Sequence, residues 1–223
     1  MKRLLTIMLA LILLSASDSG ASYARGRAEW GFKIGMDLDN HDYSTRSGPG
    51  YSADNRVGLA VGVFLTRYVS SRVATQTELY YAIRGLTERR WSGYGDNRYT
   101  SEKKVRIDCL ELSWLWKFFI GSGTPQPNLY IGPDIAAFVY CRQEYQSEHY
   151  RNGILEHSYS SSSSGGGGWD RWGDVGLIVG GGLDFPVGKD KVLVDARCFL
   201  GLLPTICGGA IETMLSLRVG YAF

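Results

Sequence analysis

The chain of 223 residues is 44% apolar, 21% charged and 13% aromatic, with 29 Gly and 6 Pro, which excludes a disordered chain, a collagen-like repeat and a minimal disulfide scaffold. Its length points to a single folded domain. Setting aside Lys2, Arg3 and Asp18 of a leader, the 24 basic and 22 acidic residues become 22 against 21, so no charge footprint of a nucleic-acid or membrane-surface binder is present.

The leader comes first along the chain. Lys2-Arg3 precede an apolar run of eleven positions, Leu4 to Leu14, interrupted only by Thr6, and small and polar residues then lead to Ser22-Tyr23-Ala24. That is the pattern of a secretory signal peptide, and its apolar run is too short for the ~20 residues of a spanning helix. Cleavage is expected after Ala24, with Ala21 as the alternative, dividing the chain into a signal peptide (1–24) and a mature domain (25–223). No Cys stands at the new N-terminus to carry a lipid, and no later apolar stretch approaches ~18 residues, so no spanning helix is expected.

The mature chain alternates with period two, the mark of strands with one apolar face. Trp30, Phe32, Ile34, Met36 and Leu38 alternate with Gly31, Lys33, Gly35, Asp37 and Asp39. Val57, Leu59, Val61, Val63 and Leu65 form the second such set, in which Phe64 is the one residue out of character on the small-residue face. Val73, Leu79, Tyr81 and Ile83 oppose Gln76, Glu78 and Arg84; Leu110, Leu112, Trp114, Trp116 and Phe118 oppose Glu111, Ser113 and Lys117. Leu129, Ile131, Ile135, Ala137 and Val139 then oppose Tyr130, Gly132, Asp134 and Ala136. Val175, Leu177, Val179, Leu183 and Phe185 oppose Asp174, Gly176, Gly180, Gly182 and Asp184. Val192, Val194, Ala196, Cys198 and Leu200 oppose Asp195, Arg197 and Gly201, and Thr213 through Phe223 set Leu215, Leu217, Val219 and Tyr221 against Ser216, Arg218, Gly220 and Ala222. Eight strands are expected.

Their connections alternate in length. His41–Arg56, Gly85–Lys104, Cys141–Gly173 and Leu202–Ala210 are long, whereas Arg67–Arg72, Ile120–Asn128 and Pro186–Lys191 are short. Short turns on one rim and long loops on the other describe an up-and-down meander of the outer-membrane type. A soluble barrel would turn its charges to water. Here the apolar face is continuous and aromatic, so the face bearing Lys33, Asp37, Glu78, Arg84, Glu111, Lys117, Asp195, Arg197 and Arg218 is expected inside, with its ions paired across a narrow lumen. The expected fold is all-β: an eight-stranded antiparallel up-and-down transmembrane β-barrel preceded by a signal peptide.

Gly31 to Asn40, Gln76 to Tyr81, Leu110 to Lys117, Tyr130 to Pro133 and Gly220 to Phe223, taken in order and spacing, resemble the porin-like outer membrane protein beta-barrel domain family. The resemblance implies an eight-stranded barrel of the outer membrane and a terminal aromatic, Phe223, read by the barrel-assembly machinery; it supplies no substrate. Many members have Pro where Ser113 stands, and the third long loop, with its Ser160 to Ser164 run, is longer than usual.

No catalytic, cofactor-binding or metal residue is predicted, and no cofactor. His41, His149 and His157 fall in expected long loops without carboxylates or Cys at ligand spacing, and Asp42 beside His41 is weak evidence of an acid–base pair. Gly180-Gly181-Gly182 is followed by no helix, so it reads as crowding relief inside the barrel and not as a phosphate loop. Arg89, Arg90, Arg98, Lys103 and Lys104 interleaved with Trp91, Tyr94 and Tyr99 could meet a glycan or anionic lipopolysaccharide. The expected role is a monomeric, non-enzymatic barrel in contact with outer-membrane lipid and not with nucleic acid; a narrow solute channel and a rim-located hydrolase are the alternatives.

Four Cys allow three pairings in a compartment where disulfides persist. A hairpin centred between Thr124 and Pro125 brings Cys109 near Cys141 at the outer rim. Strand parity puts Cys109 inward and Cys141 outward, so a bridge needs a bulge or a strand end at Cys141. Cys198 and Cys207 are left at the last hairpin, with free thiols as the alternative.

Overall fold

The alternation becomes ten antiparallel strands among the described residues: β1 (Ala28–His41), β2 (Tyr51–Asn55), β3 (Val57–Tyr68), β4 (Val73–Tyr94), β5 (Asn97–Phe119), β6 (Gln126–Arg151), β7 (Ile154–Gly166), β8 (Asp174–Val187), β9 (Asp190–Gly201) and β10 (Glu212–Ala222). The computed structural model describes residues 28–41, 50–55, 57–94, 96–121, 123–166, 173–202 and 212–223; the leader, Asp42 and Cys207 lie outside them. Eight of the strands pair in the cycle β1-β3-β4-β5-β6-β8-β9-β10 and back to β1, so the sheet closes on itself. Closure leaves this ring no unpaired edge, which lets strands cross lipid. Among the described residues no helix is long and apolar enough to do so.

The faces sort as the alternation demands. Ile34 is 58% exposed while its neighbour Lys33 is 1% exposed, an inversion of the soluble pattern. Trp30, Val61, Phe118, Leu129, Val179 and Leu215 continue the exposed apolar belt around the ring. Its lower margin carries stacked aromatics, Trp30 on Phe223 at 4.6 Å and Phe32 on Tyr221 at 6.2 Å, where amphipathic rings favour a membrane interface. Inward glycines make room for large neighbours on adjacent strands. A Cβ at Gly180 would lie 2.6 Å from the Tyr130 ring, and one at Gly31 would lie 2.8 Å from Phe64. Phe64, out of character on its strand face, is thereby explained: it is buried inside with Leu193 and Ala222.

Two of the expected long loops are instead mostly strand. β4 and β5 stay paired up to Tyr94 opposite Asn97, across the stretch from Gly85 to Lys104. β6 runs on to Arg151 and returns as β7 through Asn152-Gly153. Asn152 and Gly153 have φ of 53° and 75°, the left-handed conformation that Asn and Gly accept in a tight hairpin turn. The ladder continues because backbone groups pair whatever the side chains are, and here the cross-strand partners are mostly polar or charged. These extensions, with short β2 laid against β4, form a ribbon standing on one side of the ring.

The expected neighbourhood of Cys109 and Cys141 is corrected. Cys109 stands opposite Phe138, and Cys141 opposite Ile107. The turn is centred one residue nearer the N-terminus than Thr124/Pro125, and a bulge between the Asp108 and Cys109 positions leaves Val139 extra on β6. That bulge turns Cys141 inward, onto Leu86, Val105 and Ile107, but also sets it apart from Cys109. Cys109, Cys141 and Cys198 are free thiols. Peptide mapping of the unfolded protein without reductant is expected to find all three alkylated; a crosslinked Cys109–Cys141 peptide would sink this register.

Candidate functional site: a filled lumen and a projecting ribbon

Each of the nine ionic residues expected inside is buried. β1 supplies Lys33 and Asp37, β4 supplies Glu78 and Arg84, β5 supplies Glu111 and Lys117, β9 supplies Asp195 and Arg197, and β10 supplies Arg218. At the centre, Lys33 Nζ donates to Glu78 Oε1 at 2.8 Å and to Asp195 Oδ2. Arg197 grips Glu78 from the other side with bonds of 2.6 and 3.3 Å, the bidentate fork that suits guanidinium to carboxylate. Gln76 donates from Nε2 to Glu78 Oε1 at 2.6 Å and accepts the Thr66 hydroxyl on Oε1 at 2.9 Å. Tyr80 and Tyr130 flank the Arg197 guanidinium at 5.7 and 5.5 Å.

Further pairs lie along the lumen. Arg218 meets Asp37 at 2.8 Å and Arg84 meets Glu111 at 2.7 Å. Lys117 binds Asp184 at 2.9 Å, with Asn128 adding a bond of 2.8 Å to the same carboxylate, and Lys191 binds Glu29 at 2.8 Å beside Tyr68. Asp184, Glu29 and Lys191 were not among the expected lumen ions, although Asp184 already stood on the inward face of its strand. Ser113 donates its hydroxyl to buried Asp134. Apolar side chains fill the remainder: Leu115, Tyr130, Ile178, Phe199 and Met214 on one wall, and Leu86, Val105 and Ile107 with Phe138 and Cys141 above. Chemically, this interior holds most of its charge in opposite-sign pairs, with apolar side chains packed between them.

The ribbon follows a different logic. Its charges pair across and along strands: Arg89 Nε of β4 meets Glu102 of β5 at 3.0 Å, and Lys104 Nζ, two positions along β5, meets the same carboxylate at 2.6 Å. Those bonds, from Lys104 first and Arg89 second, hold the Glu102 carboxyl below the usual range. Arg142 meets Glu144 at 2.8 Å, and Arg106 meets Asp108 at 2.9 Å beside the Tyr81 hydroxyl. Such exposed pairs contribute little stability each. They do offset the basic residues of the Gly85–Lys104 stretch with carboxylates, which weakens its standing as a polyanion site.

His149 and His157, expected in loops, stand directly opposite each other on β6 and β7, and His41 lies apart on β1 opposite Glu212. His149 Nδ1 is 3.2 Å from Glu156 Oε2, and Arg151 approaches the same carboxylate at 3.5 Å. Among the described residues no group of three or more His, Cys, Asp or Glu is arranged to hold a metal ion.

The profile of a family described as "Outer membrane protein beta-barrel domain" matches residues 16–206. Among solved structures, the chain is similar to the outer membrane protein OprG of Pseudomonas aeruginosa, at 12% identity and a TM-score of 0.41, covering 88% of this chain and 96% of that one. It is similar to Neisserial surface protein A at 11% identity and a TM-score of 0.38, covering 86% and 97%. Ail of Yersinia pestis, in complex with the heparin analogue sucrose octasulfate, matches at 11% identity and a TM-score of 0.35, covering 89% and 100%. No curated protein sequence matches significantly.

Glu78 is the carboxylate on which most lumen bonds converge. Glu78→Ala strands Lys33 and Arg197 with Asp195 as their shared partner and is expected to destabilise the barrel by about 3–5 kcal/mol. The urea midpoint for loss of the compact, gel-shifted form of the unboiled protein measures this, and an unchanged midpoint contradicts the central role of Glu78.

Proposed function

Because this chain belongs to the outer membrane protein beta-barrel domain family, we propose that it is a monomeric, non-enzymatic barrel whose ribbon meets the cell exterior in a structural or surface-contact role. The observation that carries this reading is the filled lumen. A conducting pore needs a connected wet path, whereas Lys33, Glu78, Asp195 and Arg197 close the centre on one another. Eight strands enclose a space only about as wide as the side chains within it, which supports a closed interior. A hydrolase reading is disfavoured by the histidines whose side chains are described: His149 is engaged by Glu156, and neither histidine is bonded to a hydroxyl or thiol nucleophile.

The same reading takes the leader over 1–24 as an export signal and Phe223 as the contact for the assembly machinery. Support for the second comes from β10, whose exposed face ends at Phe223 with its N–H donating to the Trp30 carbonyl at 2.9 Å, so the residue completes the seam between first and last strands. Deleting Phe223 is expected to lower membrane yield and leave a protease-sensitive chain in the periplasm; full yield without it removes this assignment. Planar-bilayer recordings of the purified barrel are expected to show no stable unit conductance, and large, steady steps would replace the reading with a channel.

A further inference from the structure

We infer that the free edge of β7 is a docking strand for a second copy of this chain held in a facing membrane. The inference rests on the reading of the ribbon as a surface-contact element. Among the described residues β7, 13 residues long, pairs with β6 alone, so toward them its other edge presents unpaired N–H and C=O groups. Natural edge strands are blunted by charge, Pro, a bulge or shortness. β2, the other edge of the ribbon, has five residues. β7 from Ser158 to Gly166 has no charge and no Pro, and the bulge in its ladder lies nearer the tip, between the pairs His149–His157 and Tyr150–Leu155. Its side chains through Ser160 to Ser164 are small, polar and exposed.

The chemistry of this edge selects the occupant. A foreign peptide added to a sheet gains specificity from pockets for its alternate side chains, and a row of serines offers none. Self-pairing needs none either. An antiparallel pair centred on Ser161 places serine opposite serine, except for Tyr159 opposite Ser163, and sets Glu156 and His157 of each copy beside glycines of the other, so no like charges meet.

The direction of β7 selects the geometry. It runs from the tip, where Ile154 lies opposite Arg151, down to the rim, where Gly166 lies opposite Tyr140. Two copies in one membrane are related by an axis along its normal, which leaves their β7 strands parallel or crossing. Antiparallel pairing of identical strands needs an axis perpendicular to them, and that turns the second barrel upside down, into an apposed membrane. Each barrel stays a monomer within its own bilayer, and many weak contacts between two surfaces sum by avidity.

The full chain reconstituted in phosphatidylcholine vesicles, in separate donor-dye and acceptor-dye populations, tests this by energy transfer on mixing. Wild-type vesicles are expected to cluster. The doubles Ser161→Glu/Ser162→Glu and Ser161→Lys/Ser162→Lys cover both faces of the strand, and each is expected to cut clustering by about tenfold or more through like-charge contact. Mixing Glu vesicles with Lys vesicles is expected to restore it. An epitope inserted between Asn152 and Gly153, probed with antibody on intact cells, reports separately whether the ribbon is exposed. Dispersed wild-type vesicles with an accessible epitope overturn the docking strand alone, while an inaccessible epitope overturns the surface reading beneath it. Clustering that survives both doubles, or fails to return on mixing them, assigns the contact to lipid or to another strand and overturns self-pairing.

Discussion

Closure of the sheet by eight strands is the constraint from which the rest of this molecule follows. A closed ring satisfies every ladder hydrogen bond without an edge, the condition for strands in lipid, and at this strand number it encloses a space only as wide as the side chains pointing into it. Whatever faces inward must therefore fill that space and satisfy itself. Large residues take the room that inward glycines leave, as Tyr130 does over Gly180 and Phe64 over Gly31. Most of the buried ions are tolerated because opposite charge holds them, while Asp134 takes the Ser113 hydroxyl. Glu78 is the clearest case, with Lys33 on one side and the Arg197 fork on the other.

Outside the apolar belt the same strands obey other rules. Without lipid on one face and a packed lumen on the other, β4, β5, β6 and β7 are held by their ladders and by exposed pairs such as Arg89–Glu102. The change occurs over a few residues. Leu110 is outward in the belt, and Asp108, two positions on, bonds Arg106 and the Tyr81 hydroxyl at the level where water begins. The bulge at Val139 sits at this boundary and re-aims the outer part of β6. A ribbon built this way ends in edges, which the ring beneath it does not have.

Much of the barrel was legible in the sequence because a membrane barrel writes its faces into a strict period of two. Lys33, Asp37, Glu78, Arg84, Glu111, Lys117, Asp195, Arg197 and Arg218 could be placed inside from parity alone, since a residue on the wrong face would put charge in lipid. Who pairs with whom could not be read. Glu78 meets Lys33 from 45 positions away and Arg197 from 119 away, and those distances collapse only when β1 and β10 close the ring. The strands beyond the belt were illegible for the opposite reason. Once both faces meet water, as in Ser160 to Ser164, alternation carries no penalty and leaves no trace, so β7 and the outer halves of β4, β5 and β6 look like loop.

The cysteines mark the limit most sharply. Parity correctly turned Cys109 inward, because burial beside Glu111 and Ala82 is a property of its strand face. Its opposite number depended on where the turn between β5 and β6 is centred and on one extra residue at Val139. Each shifts register by a single position, with no apolar pattern to object. The sequence by itself thus determined that eight strands would close with their ions inside and their apolar residues in lipid, because lipid penalises every exception. Only the tertiary structure decided the register across each hairpin, the partner of each ion and the edge left open on β7, because these depend on backbone pairing, which is indifferent to side-chain type.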